Sequence, residues 1–430
     1  MNSDSPVFMK PALVDEIFIN EEDKRILYFN PSVPDWITVN EMYRPLFDLF
    51  DGTNDTETIN NFVDSNYPEE KDVLKPQIKE LFASSGIFKG NAKVAERKNF
   101  SNAPHHVYLT LTDNCNLKCV YCYAAERDEK ENACFETWQR YISDIIDFAG
   151  KPTFTFTGGE PLTVPYALDL AAFTKEKGCG NILLTNGTFI NEKNARQIAD
   201  LFYMVKISLD SVDEAVSGEL RGKGVAEKAE NAFNLLQQRG SNVQILATVS
   251  SKTLDSVETF SNHFNQRVQF QPLYSMMGRA RKGSDLTITG EEYYDSLVKS
   301  GKFKLLHQYH DTILSFRNNP CKRCALANGE ISIDSKGNVY PCHLMHYDSL
   351  CCGNLNRESM EKIYTGSKMN DLRAVNVDNI PKCKICVFRN ICGGGCRARN
   401  DIPKTGIRGY HDFCVFEQKG ILDALMYSYG

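Results

Sequence analysis

Hydrophobic residues in the middle of the chain form short runs that alternate with longer amphipathic stretches. The runs predict strands, because they are apolar or alternate with polar residues and end at turn residues. Stretches with helical spacing, such as ETWQRYISDIIDFAG and AEKAENAFNLLQQRG, separate them. The six strand candidates are VYLTLT, TFTFTG, NILLTNG, MVKISLD, VQILATVS and VQFQPLY. Repeated strand–helix units predict an α/β fold with a parallel sheet and right-handed crossovers, and six units are fewer than the eight of a closed barrel.

The two ends of the chain follow different patterns. In residues 1–90, EIFINEED, RILYFNPS and WITVNEM predict three short strands, and three stretches with helical spacing follow them. This order predicts a winged-helix-like α+β domain, which a polar linker over residues 91–104 joins to the barrel at residues 105–310. Over residues 311–430 helical periodicity fades and cysteines become dense. That composition is typical of a small domain held together by metal clusters.

Composition and charge exclude several classes of protein. The chain has 430 residues, 15 cysteines and a net charge of −6. It contains no run of 18 apolar residues and opens with the polar MNSDSPVFMK, so neither a membrane span nor a secretory signal is expected. Many cysteines without such a signal indicate metal ligation in a reducing cytoplasm. No strongly basic region suggests nucleic-acid binding.

The charge is unevenly distributed. Residues 1–90 contain 17 acidic and 8 basic side chains, a net charge of −9, which leaves +3 for the remainder. The acidic front domain could attract a basic peptide segment by electrostatics. A solvated surface without a partner is the alternative.

Three cysteines stand directly after the first strand of the predicted barrel. Cys115, Cys119 and Cys122 lie in the run CNLKCVYCY. Thiolates are ligands for iron–sulfur clusters and for zinc. A four-iron cluster held by three thiolates leaves one iron open to bind a ligand. A zinc knuckle or a set of buried cysteines is the alternative, although a zinc knuckle normally supplies four ligands.

This cysteine loop resembles that of radical SAM enzymes, and the run FTFTGGEP on the next strand strengthens the resemblance. The family's open iron binds S-adenosylmethionine (SAM), and electron transfer into SAM releases a 5′-deoxyadenosyl radical. The resemblance implies a partial barrel of six strand–helix units and a SAM-binding [4Fe-4S] cluster on the three cysteines. The residues that it implies at the SAM site are Tyr121, Gly158, Gly159, Glu160, Ser208 and Arg221. Among these, Glu160 or a backbone carbonyl would face the SAM ammonium, and Arg221 would hold the carboxylate.

A second group of cysteines occupies the C-terminal part. Its central run, Cys383-x2-Cys386-x5-Cys392-x3-Cys396, resembles the SPASM extension of radical SAM enzymes that modify peptides and proteins. The resemblance implies two auxiliary [4Fe-4S] clusters, for three clusters in all. The first would use Cys321, Cys324, Cys342 and Cys396, and the second Cys383, Cys386, Cys392 and Cys414. The short gap between Cys321 and Cys324 leaves open whether both bind one cluster, and structural zinc ions are the alternative.

The residue after Cys342 is a candidate catalytic base. In sulfatase-maturing relatives an aspartate follows the corresponding cysteine, whereas this chain has His343. Histidine can accept a proton near neutral pH. The difference argues against sulfatase-maturase activity. No role is predicted for Cys134, Cys179 or the pair Cys351 and Cys352.

The front domain resembles the precursor-recognition domain of enzymes that modify ribosomally made peptides, on the runs NPSVPDWITVNEM and LFDGTNDTETI. The resemblance predicts an oxidoreductase that binds the leader of a precursor peptide and modifies its core, most simply by forming a thioether between a cysteine sulfur and a carbon. Flavodoxin or ferredoxin would supply electrons. Carbon–carbon cross-linking, epimerisation and sulfatase-maturase-like oxidation are alternatives. A non-catalytic iron–sulfur or zinc scaffold is the alternative of a different class.

Overall fold

The computed structural model describes residues 16–88, 101–124, 132–273, 278–279, 284–299, 312–317, 319–400, 402–411 and 413–427. Most of the predicted linker, and the predicted boundary at residues 310 and 311, lie outside these ranges. None of the helices within them is long and apolar enough to cross a membrane.

A nine-stranded sheet forms the centre of the molecule, in the order β12-β11-β10-β4-β5-β6-β7-β8-β9. Strands β4 to β9 are all parallel and match the six predicted strands, so the predicted α/β fold is confirmed. Their bounds are His106–Thr110, Thr153–Thr157, Gly180–Thr185, Met204–Ser208, Val243–Val249 and Val268–Pro272. With six parallel strands this part is an open barrel, whose site is expected where the strands end.

The sheet continues into the cysteine-rich part of the chain. Strand β10 (Glu330–Ile333) pairs with β4 in parallel, and β11 (Asn338–Tyr340) and β12 (Gly353–Asn354) follow as antiparallel strands. These strands have only two to four residues, too few to show a strand pattern in the sequence. They cover the edge that β4 would otherwise expose, and unpaired edges favour aggregation. The cysteine-rich part is therefore attached directly to the barrel.

Helices pack on the outer face of the barrel and bury an apolar core. The core contains Trp138, Ile142, Phe154 and Phe156, each with no exposed surface. The helices of this part are α4 (Phe135–Ala149), α5 (Ala167–Glu176), α6 (Ala195–Leu201), α7 (Glu214–Leu220), α8 (Val225–Gln238), α9 (Val257–His263) and α10 (Gly290–Lys299). Later helices are Met360–Thr365, Ser367–Arg373 and Cys414–Tyr427, with single turns at Pro381–Lys384, Arg389–Cys392 and Ile402–Thr405.

The front part has its own sheet and core. Strands β1 (Glu16–Asn20), β2 (Arg25–Asn30) and β3 (Asp35–Asn40) form an antiparallel sheet in sequence order. The helices after them are α1 (Arg44–Phe47), α2 (Thr56–Asn66) and α3 (Lys71–Ser84). Edge-to-face contacts join Phe50, Phe82 and Phe88 in the core. The order of three strands and three helices agrees with the sequence pattern.

One face of the front sheet belongs to the core just described, and the opposite face of the sheet packs against the C-terminal helix Cys414–Tyr427. Leu27, Phe29 and Trp36 share an apolar cluster with residues of that helix. Polar contacts border the cluster: Thr38 Oγ1 donates to the carbonyl oxygen of Leu425 at 2.8 Å. The front part is therefore docked on the cysteine-rich part, and removing it would expose apolar surface.

Candidate functional site

A cavity of about 250 Å³ lies at the carboxyl ends of the parallel strands. Its walls come from the loop after β4 and from the carboxyl-terminal residues of β5 to β9, with a few residues that follow those strands. Eight of the predicted site residues line it: Cys115, Cys119, Tyr121, Cys122, Gly158, Gly159, Ser208 and Arg221. Leu344 and Ala398, from the cysteine-rich part, also line it. The fold thus brings the loop with three cysteines and residues near the second cysteine group to one cavity.

Backbone contacts hold the cysteine loop in place from two sides. The amide of Val120 donates to the carbonyl oxygen of Leu220 at 2.9 Å, which ties the loop to α7. On the other side, Arg279 Nε donates to the carbonyl oxygen of Cys119 at 2.7 Å. The side chains are therefore left to line the cavity. Burial raises the pKa of Cys119 above its usual value, against the opposing effect of Arg221.

Two glycines allow the end of β5 to approach the cysteine loop. The amide of Gly159 donates to the carbonyl oxygen of Thr112 at 2.7 Å, and that of Glu160 donates to Asn114 at 2.9 Å. A Cβ atom on Gly158 would overlap Thr112, and Gly158 has a φ of +136° that other residues rarely adopt. A Cβ atom on Gly159 would overlap Asn114. These positions therefore require glycine.

Glu160 does not line the cavity, so of the two groups expected to face the SAM ammonium, its carboxylate or a backbone carbonyl, the structure favours the backbone carbonyl. The residue is fully buried, and its oxygens accept from Asn186 N at 2.7 Å and Thr185 Oγ1 at 2.8 Å. A buried carboxylate needs such partners. Its carboxylate therefore joins the ends of β5 and β6, and only the backbone of this loop remains to meet a ligand.

A buried network that the sequence did not predict surrounds Asp210. Arg221 binds this carboxylate with two hydrogen bonds, from Nε at 2.7 Å and from Nη2 at 2.9 Å. The Tyr121 hydroxyl and the amide of Thr248 also donate to it. The side chains of Arg221 and Asp210 are 8% and 1% exposed. Burial raises the pKa of Tyr121 well above its usual value.

The network changes what Arg221 can do. Its bidentate pair with Asp210 uses Nε and Nη2, so Nη1 takes no part in that pair. Burial disfavours the charge on Arg221, but Asp210 outweighs this and raises its pKa overall. In the sequence, Asp210 stands two residues after the predicted Ser208 in KISLDS, and no motif there links it to Arg221.

Asn186, directly after β6 in the run LLTNG, is a further residue of the site. Its Nδ2 donates to Asn116 Oδ1 at 2.9 Å and lies 3.8 Å from Cys115 Sγ. It therefore links the end of β6 to the cysteine loop, and it lines the cavity.

The second cysteine group divides into two sets, and the thiols within each set interact electrostatically with one another. Cys324, Cys342 and Cys396 form one set, in which burial raises the pKa of Cys324 to about 11. The other set contains Cys383, Cys386, Cys392 and Cys414. The first set contains three of the four cysteines expected at one auxiliary cluster, without Cys321, and the second contains all four expected at the other. That each set binds a cluster stays a prediction. The position of a Cβ atom on Gly393 lies 2.7 Å from Cys321 Sγ, so Cys321 packs against the loop between Cys392 and Cys396.

The donor atoms suit iron–sulfur clusters. Buried thiols favour the neutral form, and a bound metal reverses that preference by ligating the thiolate. Within the described ranges, no three His, Cys, Asp or Glu side chains converge closely enough to share one metal ion. A four-iron cluster does not need such convergence, because each thiolate binds a different iron.

His343 lies beside the cavity rather than in its wall. Its ring stacks on Tyr108 of β4, with centroids 4.0 Å apart, and Tyr108 stacks in turn on His106 at 4.6 Å. The next residue, Leu344, lines the cavity. The role of His343 as a base therefore stays a prediction.

Comparisons with known proteins identify two domains. Residues 109–261 match the family model of the radical SAM superfamily, and residues 321–387 match that of the SPASM iron–sulfur cluster-binding domain. The cysteine-type anaerobic sulfatase-maturating enzyme of Clostridium perfringens is 24% identical over 339 residues, which cover 70% of this chain and 91% of that protein. The AdoMet-dependent heme synthase of Methanosarcina barkeri is 23% identical, covering 74% of this chain and 97% of that protein.

Solved structures share the fold. Native anSMEcpe with bound AdoMet has a TM-score of 0.62 at 21% identity, and covers 75% of this chain and 96% of its own. Streptococcus suis SuiB bound to precursor peptide SuiA has a TM-score of 0.56 at 15% identity, and covers 95% of this chain and 100% of its own. Together with the cysteine loop and the cavity, these matches show that the chain is an enzyme with a radical SAM domain followed by an iron–sulfur cluster-binding SPASM domain.

Proposed function

We propose that this enzyme modifies a ribosomally made precursor peptide and forms a thioether between a cysteine sulfur and a carbon of another residue. The observation that carries the proposal is a peptide-sized groove in the front part, on a chain that also holds the radical SAM and SPASM domains. The similarity to SuiB supports it, because that fold spans 95% of this chain whereas that of anSMEcpe spans 75%.

The residues of the cavity can each be given a role in holding SAM. Cys115, Cys119 and Cys122 would bind a [4Fe-4S] cluster, and the loop backbone at Gly158 and Gly159 would approach the methionine part. When bound, SAM and the clusters supply a hydrogen-abstracting 5′-deoxyadenosyl radical and a route for the electron released as the carbon–sulfur bond forms. Arg221, oriented by Asp210, would offer Nη1 to the SAM carboxylate. Ser208 would offer its hydroxyl.

The groove lies between β3 and α3 and measures about 700 Å³. Strand β3 lies at the edge of its sheet, so backbone groups of alternate residues point away from β2. The facing wall of the groove is α3, with the apolar residues Leu74, Ile78 and Leu81. An extended peptide can pair with such an edge and place alternate side chains in apolar pockets. A leader peptide is therefore the proposed occupant.

A point substitution tests the groove without removing the front part. Leu74→Glu places a charge in the groove and should weaken leader binding more than tenfold, or about 1.4 kcal/mol. SAM cleavage without peptide should continue, because the SAM cavity is built from later residues. Titration of a labelled leader peptide measures the affinity. Val73→Glu is the matched control, since Val73 is 60% exposed on the same helix and does not line the groove.

Equal affinities of the Leu74→Glu variant and the wild type would remove leader recognition from this groove. That result would favour an enzyme that acts on a folded protein substrate.

The SPASM cysteines are expected to matter for product rather than for radical generation. Alanine at both Cys383 and Cys386 should remove about four irons, the content of one cluster. Peptide modification should be lost while some SAM cleavage remains. Iron analysis and the yield of 5′-deoxyadenosine measure the two effects. Full iron content with normal product would exclude a cluster at this set.

Sulfatase-maturase-like oxidation is the second candidate, and the similarity to the Clostridium perfringens enzyme favours it. His343 at the place of the family's aspartate argues against it. The two functions differ in product, because a cross-linked peptide loses hydrogen only, whereas oxidation of a cysteine to an aldehyde also loses sulfur. Mass spectrometry of a candidate peptide after reaction distinguishes them. A flavodoxin or ferredoxin is the proposed electron donor for either.

A further inference from the structure

His411 is buried beside the second set of SPASM cysteines without a visible hydrogen-bond partner. Its side chain is 6% exposed. Neither Nδ1 nor Nε2 has a hydrogen-bond partner among the residues that the structure describes. Buried polar groups are nearly always hydrogen-bonded, and leaving one unpaired costs ~1–3 kcal/mol. Two such atoms on one ring indicate a partner that the described residues do not supply.

The position of the ring points to where that partner lies. A Cβ atom on Gly395 would stand 2.9 Å from His411 Nε2 and 4.0 Å from Cys392 Sγ. The ring nitrogen and this thiol therefore border the same small space. Gly395 keeps that space open, and its φ of +65° also favours glycine. On the other side, the amide of Cys414 donates to the carbonyl oxygen of His411 at 3.3 Å.

The chemistry of the ring suits a hydrogen-bond donor. A neutral imidazole has one N–H donor and one acceptor nitrogen. The four cysteines of the set already supply the usual number of ligands for a four-iron cluster. A donor to a cluster sulfur is therefore more consistent with this ring than a fifth ligand.

We propose that His411 Nε2 donates a hydrogen bond to a sulfur atom of the cluster bound by Cys383, Cys386, Cys392 and Cys414, and thereby raises its reduction potential. Reduction adds negative charge to the cluster, and a donor aimed at its sulfur stabilises that charge. Hydrogen bonds to the sulfurs are one of the factors that set cluster potentials. His411 is thus a positioning residue for electron transfer. The inference rests on cluster binding by this set and not on the identity of the peptide.

A redox titration of the anaerobically reconstituted full-length protein, followed by electron paramagnetic resonance, tests the proposal. His411→Phe keeps a ring of similar size but cannot donate. One auxiliary cluster should then be at least tenfold more oxidised at a fixed potential, equal to 59 mV for a one-electron couple. His411→Asn, which restores an N–H, should recover part of the shift. His263→Phe is the matched control, because His263 is exposed and its ring pairs with Glu230.

Unchanged potentials in a His411→Phe protein with full iron content would overturn the proposal. If that variant loses iron, the test uses wild-type protein with ¹⁵N-labelled histidine. Pulsed electron paramagnetic resonance on the reduced cluster then measures the coupling to histidine nitrogen. A coupling to histidine nitrogen at the second auxiliary cluster supports the hydrogen bond. Its absence means that an ordered water alone meets the ring, and the proposal is wrong. Wild-type protein without iron at this set would also overturn it, whatever the fate of peptide modification.

Discussion

Replacing Cys115, Cys119 and Cys122 together with alanine is expected to abolish 5′-deoxyadenosine production in the presence of SAM and dithionite. The three thiols line one cavity with Gly158, Gly159 and the Arg221 network, and no other cysteine lines it among the described residues. Without them no iron is held where SAM would bind. The rate should fall at least about a thousandfold, equal to ~4 kcal/mol in the activation barrier.

Iron content separates this effect from general unfolding. The triple variant should lose about four irons and keep those of the SPASM cysteines, which belong to a different part of the fold. Cys134→Ala is the control for a cysteine change of the same kind, because Cys134 is exposed at the start of α4 and lies outside the cavity. Continued 5′-deoxyadenosine production by the triple variant would show that the open iron site lies elsewhere.

Asp210→Ala is expected to cause the largest loss of stability of any single change near the cavity. Asp210 accepts hydrogen bonds from Tyr121, Thr248 and Arg221 in a site closed to solvent. Its removal leaves a buried guanidinium unpaired, and breaking such pairs costs ~3–5 kcal/mol in the free energy of unfolding. Chemical denaturation would measure the loss, and a SAM-binding assay should show weaker binding because Arg221 is no longer oriented.

Two further variants make this prediction specific. Glu192→Ala breaks an ion pair with Arg239 on the surface, where the side chains of Glu192 and Arg239 are 71% and 44% exposed. This change should alter the free energy of unfolding by less than about 1 kcal/mol. Asp210→Leu combined with Arg221→Met removes both buried charges and should recover stability but not SAM binding. If Asp210→Ala unfolds at the same denaturant concentration as the wild type, the network does not stabilise the site.

The sequence predicted the elements whose signals are local. The six barrel strands each carry an apolar run between turns, and the cysteine spacing separates the loop after β4 from the C-terminal group. Both features depend on residues close together in the chain. The residue types required at Gly158 and Gly159 were also visible, because close backbone approach needs glycine.

The remaining features depend on contacts between distant residues. Glu160 or a backbone carbonyl was expected to face SAM, and contacts from Thr185 at the end of β6 and Asn186 directly after it bind the Glu160 carboxylate. Asp210 has no motif of its own, and its place became clear only when Arg221 and Tyr121 were seen around it. Strands β10 to β12 are too short to predict and join the sheet because β4 has a free edge. Likewise, Trp36 packs on the C-terminal helix, although the two lie near opposite ends of the chain.

The most direct test of the proposed function is anaerobic reaction of the reconstituted full chain with SAM, dithionite and a candidate precursor peptide that binds the groove between β3 and α3. Liquid chromatography and mass spectrometry would measure 5′-deoxyadenosine and the mass of the peptide in the same sample. The proposal predicts that the peptide loses a pair of hydrogens for each cross-link, together with formation of 5′-deoxyadenosine, and that fragmentation locates a carbon–sulfur bond. An unchanged peptide and no 5′-deoxyadenosine, from protein with its full iron content, would contradict it.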